Sequence, residues 1–489
     1  MEILTGITAF SDKLMRKALL FSMMLVAAAC SKPAPQAGYP FIYPDYVGVT
    51  IPVGIAPLNF DYQGAPGRCR TVFTAGDMRV VLNGDKVRWN IRKWRKLTRE
   101  AALNGGIITV QSSPADSSWN IFVSADSLDY GLTYRLLEPG YEVYSKMGIY
   151  ERDLSSFRER ALLENTDFSG CVNCHSSAMG DPDRFSLHIR GGHGATLIRA
   201  GGEMAAYDTK TDSTLGFCVY PYWHPSGSYI AFSTNSTRQL FHVQPDKLIE
   251  VFDMASDIQV YDVASNELIT APQVKTETYW ETFPVFSADG STIFFCRAAA
   301  KDIPDSLSVL HYNLCAVGFD PKEGKFSDDV RTIIDAEAEG KSISFPRPSY
   351  DGRYIMYTLS DYGQFSIWHH EADLWLYDIA SGESVCLDAV NSSDTESFHN
   401  WSSGSRWFVF SSRRDDGRFT RLYIAHIDEN GNVGKPFMLP QKDPGEYYGR
   451  LFMSYNVPEF VKAPVNLDFR EARRLIESEE RVKMKDRDN

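Results

Sequence analysis

The chain has 489 residues, of which 43% are hydrophobic, 13% aromatic and 23% charged. This balance excludes a disordered, collagen-like or coiled-coil protein and favours β-rich architecture, because aromatics suit pleated, half-buried surfaces. The formal net charge is −13, with no basic stripe of the kind a nucleic-acid binder needs, and past the N-terminus no run reaches the roughly 20 apolar residues of a membrane span.

At the N-terminus, Lys13, Arg16 and Lys17 precede the apolar run ALLFSMMLVAAA, residues 18–29. A positive region, a short apolar core and small residues make residues 1–29 a secretory signal. Cys30 follows Ala27-Ala28-Ala29 directly, as in a bacterial lipobox, so the expectation is a lipidated Cys30 at the mature N-terminus. Residues 30–39 then form a lipidated tether without an acidic run. The expected location is the cell envelope, on the periplasm-facing side of the outer membrane, with the lipid as the sole membrane contact.

Residues 40–165 read as a small β-sandwich-like domain followed by a connector. Strand candidates are VTIPVGIAPLNFDY from Val49, RTVFTA from Arg70, MRVVLN from Met78, IITVQ from Ile107 and NIFVS from Asn120; KWRKLTREAAL from Lys93 has the pattern of a short basic amphipathic helix. The connector is the stretch from Tyr134 to Leu154.

Next comes Gly170-Cys171-Val172-Asn173-Cys174-His175. C-x-x-C-H is the attachment sequence of c-type haem. Two thiols two residues apart bond the haem vinyl groups, and the adjacent histidine becomes the proximal iron ligand. By composition the motif is expected on the order of 0.003 times in this chain. A redox C-x-x-C wants a βαβ setting and a zinc site wants a second ligand pair; the sequence has neither. The expectation is one covalent haem c in the segment 168–190, with Cys171 and Cys174 as attachment points and His175 on the iron. For the sixth ligand His188 is the first candidate, with Met179, Met204, His193 and an open iron as alternatives. The five remaining cysteines, Cys69, Cys218, Cys296, Cys315 and Cys386, have no motif spacing.

Residues 166–462 carry a repeat. YPYWHPSGSYIAFST, FPVFSADGSTIFFCR, FPRPSYDGRYIMYTL and HNWSSGSRWFVFSSR begin at Tyr220, Phe283, Phe345 and His399 and place turn glycines at Gly227, Gly290, Gly352 and Gly404. Each is followed by an alternating strand and an Asp/Asn/Gly-rich turn, with a half-copy at Glu203. Four short strands per unit of this length predict a β-propeller. Five blades are countable from about 168 to 435, and the tail to Val461 supplies strands to a sixth, joined with N-terminal strands. The haem motif is expected at the turn that opens a blade, near the axis, in the place others fill with Trp-His-Pro. Residues 463–489 read as a charged, exposed helix and tail.

The segments GYEVYSKMGIYERDLSSF, CVNCHSS, YPYWHPSGSYIAFS, SFPRPSYDGRYIMYTLSDYG, WHHEADLWLYD and WSSGSRWFVFSSRRDDGRFTRLYIAHID together resemble a family of exported TolB-like, PD40-repeat proteins carrying one c-type haem, often labelled cytochrome c family or cytochrome c biogenesis proteins. The resemblance spans nearly all of the chain after Cys30. It implies an all-β fold, a TolB-like (WD40-like) propeller of about six blades, with Cys171 and Cys174 as thioether sites and His175 as axial ligand.

No nucleophile-plus-base grouping, P-loop or dinucleotide fingerprint is present, and no catalytic residue is assigned. His224, His369 and His370 read as structural or surface residues, and the loop Arg413 to Asp416 as a propeller-face loop open to a ligand. The functional expectation is a monohaem electron carrier working with a redox partner or another envelope protein. The alternatives are a protein-binding or sensor propeller with a structural haem, and a haem oxidoreductase or peroxidase.

Overall fold

The computed structural model describes residues 41–64, 68–113, 117–138, 146–168, 170–241, 249–302, 307–478 and 480–487. The signal segment, Cys30 and the tether lie outside the described residues.

The N-terminal domain is a five-stranded sheet, in the order Thr50–Pro52, Ser117–Ser124, Ile107–Ser113, Arg70–Ala75 and Met78–Asn83. Helix Ile91–Leu103 packs on it. Asn90 caps that helix by accepting from the amides of Arg92 and Lys93, and Trp94, Leu97, Thr98 and Ala101 form its buried stripe. A helix, rather than the facing sheet of a sandwich, therefore covers this sheet. A three-stranded sheet, Ile42–Tyr43, Phe60–Tyr62 and Lys86–Val87, completes the domain. Its core runs on into the propeller, where Tyr46, Trp94, Trp407 and Phe437 belong to one buried cluster.

Six sheets form the propeller. Blade 2 comprises Cys171–Ser177, Phe185–Arg190, Ala195–Ala200 and Glu203–Asp208; blade 3 Cys218–Trp223, Tyr229–Phe241, Ile249–Asp262 and Glu267–Ile269. Blade 4 comprises Tyr279–Phe286, Thr292–Ala299, Asn313–Asp320 and Lys325–Ile334; blade 5 Ser342–Pro348, Tyr354–Ser360, Asp373–Asp378 and Glu383–Cys386; blade 6 Glu396–Trp401, Trp407–Ser412, Arg421–His426 and Phe437–Met438. Blade 1 joins the two halves of the chain. Its innermost strand, Ser454–Val461, pairs with Gly131–Leu137, followed outward by Met147–Asp153 and Glu159–Glu164. The six innermost strands touch one another in a closed ring.

Residues 131–164, expected to lie outside the propeller, are thus three strands of blade 1, and the N-terminal domain ends near residue 130. This blade escapes a repeat search because its inner strand lies some three hundred residues beyond the others. The turn of blade 6 also differs. Its left-handed residue is Ser405 (φ 54), in the register where blades 3 to 5 have Gly227, Gly290 and Gly352; Gly404 is not the turn residue.

The C-terminal tail is not an exposed helix throughout. Helix Phe469–Glu477 buries Ala472 and Ile476. Val482–Lys483 then pairs with the outer strand of blade 2, and Lys485–Asp486 with that of blade 3. Met484 between them is 4% exposed, and Arg487 holds Asp262 and Glu267, each at 2.9 Å. This strap covers two sheet edges that would otherwise offer unpaired backbone groups. Met484→Ala should lower stability by about 2–3 kcal/mol, read as a fall in the urea midpoint, while Lys483→Ala should stay within about 0.5 kcal/mol of wild type.

Candidate functional site

Every innermost strand carries a bulge where two residues oppose one. It falls between Val219 and Tyr222, Thr282 and Val285, Ser344 and Arg347, Ser397 and Asn400, and Asn456 and Glu459 in blades 3, 4, 5, 6 and 1. In these five blades the first bulged residue is left-handed: Tyr220 (φ 51), Phe283 (φ 54), Phe345 (φ 53), Phe398 (φ 43) and Val457 (φ 49). Proline follows in four of them, and His399 in blade 6. The aromatic rings meet around the axis, with centroids 4.5 Å apart for Tyr220 and Phe283, 4.7 Å for Phe283 and Phe345, and 4.6 Å for Phe345 and Phe398.

In blade 2 the same bulge lies between Val172 and His175. Asn173 takes the aromatic position without the left-handed backbone, and Cys174 takes the proline position. The C-x-x-C-H motif is therefore on the innermost strand beside the axis. It aligns with Cys218 to Tyr222 and not with the Trp-His-Pro turn, which corresponds instead to Ser176 and the residues after it.

The motif's side chains spread in different directions. Cys171 Sγ lies 3.2 Å from Met147 Sδ, with Arg135 of blade 1 at 3.8 Å and Asn173 Nδ2 at 3.5 Å. Cys174 lies toward Tyr220 of blade 3. Both thiols are half-buried, and all seven cysteines of the described residues are free of disulfides. His175 is buried among Thr133, Ile149, Leu162 and Val461, with the Thr133 backbone as the polar group nearest its ring and no well-formed hydrogen bond at either nitrogen. Burial, with the nearby Arg135 charge, pushes its pKa down to about 4, so the imidazole is neutral at pH 7.

His188 does not join His175. Leu187 is the register partner of His175, so the two share a face, and the next residue points to the other face. There His188 Nδ1 is 3.0 Å from Thr196 Oγ1 and the ring is 5.9 Å from that of Phe217. In this pairing His175 and His188 lie on opposite faces of the blade, and His188 is packed as a core histidine. Among the other candidates, Met179 occupies a left-handed turn position and Met204 is buried on the outermost strand of blade 2. His193 sits on a blade 2 turn, where its carbonyl accepts from Arg481. Met147 is the soft donor packed on the motif. Sequence reasoning missed it because it belongs to another blade, 24 residues from Cys171.

By residue type the donor set fits a c-type haem: two free thiols at the attachment spacing and a buried neutral imidazole. The space beside that imidazole is about 20 Å³, room for a water and not for a macrocycle.

The remaining candidates are structural. His224 hydrogen-bonds Ser226 through Nδ1 at 2.7 Å and covers Gly290 of the next blade, where any Cβ would collide with the imidazole. His369 is buried with Nδ1 3.3 Å from Glu371, while His370 pairs with Asp394 at 3.0 Å. Arg413 is buried over the Trp368 ring at 3.1 Å, and Arg414 pairs with Glu396 at 2.8 Å. This loop is held internally and not set out for a ligand. Among the described residues no cluster of three or more metal-binding side chains occurs, and no helix is long and apolar enough to cross a membrane.

The six-bladed ring with a chain-end closure defines a β-propeller. The similar solved structures named here are distant. The periplasmic gluconolactonase of Pseudomonas aeruginosa is 14% identical, with 77% of this chain and 97% of that one covered at a TM-score of 0.36. The propeller domain of the trilobed protease from Pyrococcus furiosus is 11% identical over 63% and 85%, with a TM-score of 0.34. Kuenenia stuttgartiensis hydrazine synthase is 12% identical over 54% and 68%, with a TM-score of 0.33. No protein-family model and no curated protein sequence matches the chain.

The buried histidines make stability depend on pH. Burial holds His188 and His399 down at about 3, whereas each protonates near pH 6.5 in the unfolded chain. Below pH 6.5 the unfolded chain binds protons that each folded histidine refuses, so the contribution of each is full above that pH and falls by about 1.4 kcal/mol per unit as pH is lowered. Buried acids with raised pKa values, Asp253, Glu281 and Glu459, act in the opposite sense over the same range, so the histidine contribution is read as a difference: between about pH 7 and pH 5 the urea stability of wild type should fall relative to that of His188→Leu by this slope.

Proposed function

We propose that the protein is an envelope-anchored, monohaem c-type propeller that passes single electrons to or from a partner protein. The observation that carries this reading is the C-x-x-C-H bulge with its buried, neutral imidazole. Cys171 and Cys174 would hold the haem and His175 would ligate its iron; when bound, the group supplies one-electron redox chemistry. Three features of the chain support the reading. Burial keeps His175 neutral, as a ligand must be, and the Thr133 backbone is the polar group nearest its ring among the described residues. The half-buried thiols stay reachable at the rim of the axis, and the Asn173 amide orients Cys171. Lipidation at Cys30 would keep the domain at a membrane surface without a spanning helix.

Haem should remain with the protein after denaturation and acid–acetone extraction, and should be lost from the Cys171→Ala, Cys174→Ala double variant; retention in that variant refutes the reading. His175→Ala should change the optical spectrum in both oxidation states, whereas His188→Ala should leave it as in wild type. Ready carbon monoxide binding by the wild type would favour a haem enzyme over a carrier, since a carrier wants six-coordinate iron.

For the anchor, radiolabelled fatty acid should enter wild type and not Cys30→Ala. Equal labelling of the two would remove Cys30 as the lipidation site.

A further inference from the structure

An open cleft of about 550 Å³ lies where blade 1 meets the segment that links blades 6 and 1. This volume is within the range of small-molecule sites. Arg152 forms its inner wall and is 2% exposed. Buried guanidinium groups are ordinarily paired with an anion, because an uncompensated buried charge costs several kcal/mol. Arg152 has only neutral partners. Its Nη1 donates to Gln441 Oε1 at 3.1 Å and its Nη2 to the Pro440 carbonyl at 2.7 Å, while Nε has no partner.

The acids around the cleft do not supply the missing charge. Glu159, opposite Arg152 in the strand register, accepts from the Tyr134 hydroxyl instead. Asp443 is held by Arg88 at 2.8 Å and Lys86 at 3.6 Å, and Glu446 by Arg450 at 2.8 Å. Lys442, exposed on the same wall, has no carboxylate within 4.0 Å among the described residues. Two cations without ion pairs, Arg152 and Lys442, thus face one acid without an ion pair, Glu159. The remaining wall is apolar, formed by Phe157, the Tyr447 ring and Leu451.

We propose that this cleft binds a small organic carboxylate with an apolar body. Its carboxylate lies against the Arg152 guanidinium at the inner wall of the cleft, with the exposed Lys442 beside it. Its body lies against Phe157, Tyr447 and Leu451. Nothing in this site touches the Cys171–His175 strand, so it stands independently of haem attachment.

The test is isothermal titration of the full-length protein with benzoate, benzyl alcohol and inorganic phosphate. Benzoate should bind saturably at concentrations up to about 10 mM, and benzyl alcohol and phosphate should bind at least about tenfold more weakly. Phe157→Ala, at a partly exposed turn residue, should weaken benzoate about fivefold, and Arg152→Gln should abolish binding. If Arg152→Gln fails to fold, the benzoate–benzyl alcohol comparison and Phe157→Ala decide the matter. Absence of benzoate binding to wild type overturns the proposal. Equal binding of benzyl alcohol overturns the role of the charge, and equal binding of phosphate overturns that of the apolar body.

Discussion

The fold depends on how six strands are brought around one axis. Fully regular inner strands would crowd side chains at the centre, and each blade answers with the same bulge, which turns one residue toward the axis. Holding a non-glycine residue at positive φ costs on the order of 1–3 kcal/mol, and five blades accept that cost. The return is a collar of rings in edge-to-face and tilted contact from Tyr220 to Phe398, each pair worth roughly 0.5–1.5 kcal/mol beyond the area it buries. Proline after the left-handed residue in four blades fits this account. It sits where the bulge already breaks the ladder, so the absent amide forfeits little.

Closure is the second demand, and the chain meets it with its distant parts. The strand Ser454–Val461 completes a blade begun at Gly131. The N-terminal domain shares a core with blade 6, and the C-terminal strap ties the outer edges of blades 2 and 3. Fixing the ring at several separate points leaves little freedom for blades to slide, so the inner strands keep their register. That register decides which side chains of blade 2 share a face.

What was legible in the sequence follows from whether the signal was local. The turn glycines and alternating strands report blades 3 to 5 directly, because one residue at positive φ and a period of two are local rules. Blade 6 was found through the same pattern even though its left-handed residue is Ser405. Blade 1 was misread as a connector because its pairing partner is far away in sequence. The strap was misread as helix because Arg481 to Arg487 is charged, which hides Met484 as a buried residue. At the site, the motif itself was plain, but its neighbours were not. The separation of His188 from His175 needs the register across a two-residue bulge, and the contact of Met147 with Cys171 needs the packing of one blade on another.

Blade 2 shows why the motif could enter this fold at all. A C-x-x-C-H sequence in a regular inner strand would sit in an unbroken ladder, with thiols bound into a packed layer. Here it coincides with the bulge that every blade already has. Asn173 and Cys174 replace the left-handed residue and proline, so the collar loses one ring and blade 2 is freed of the backbone strain its neighbours carry. The vacated sector lies between Val457 and Tyr220, the two collar positions that flank Asn173. The C-x-x-C-H motif therefore lies in the one blade where the left-handed collar residue is absent, and is surrounded by blades in which that residue holds the ring together.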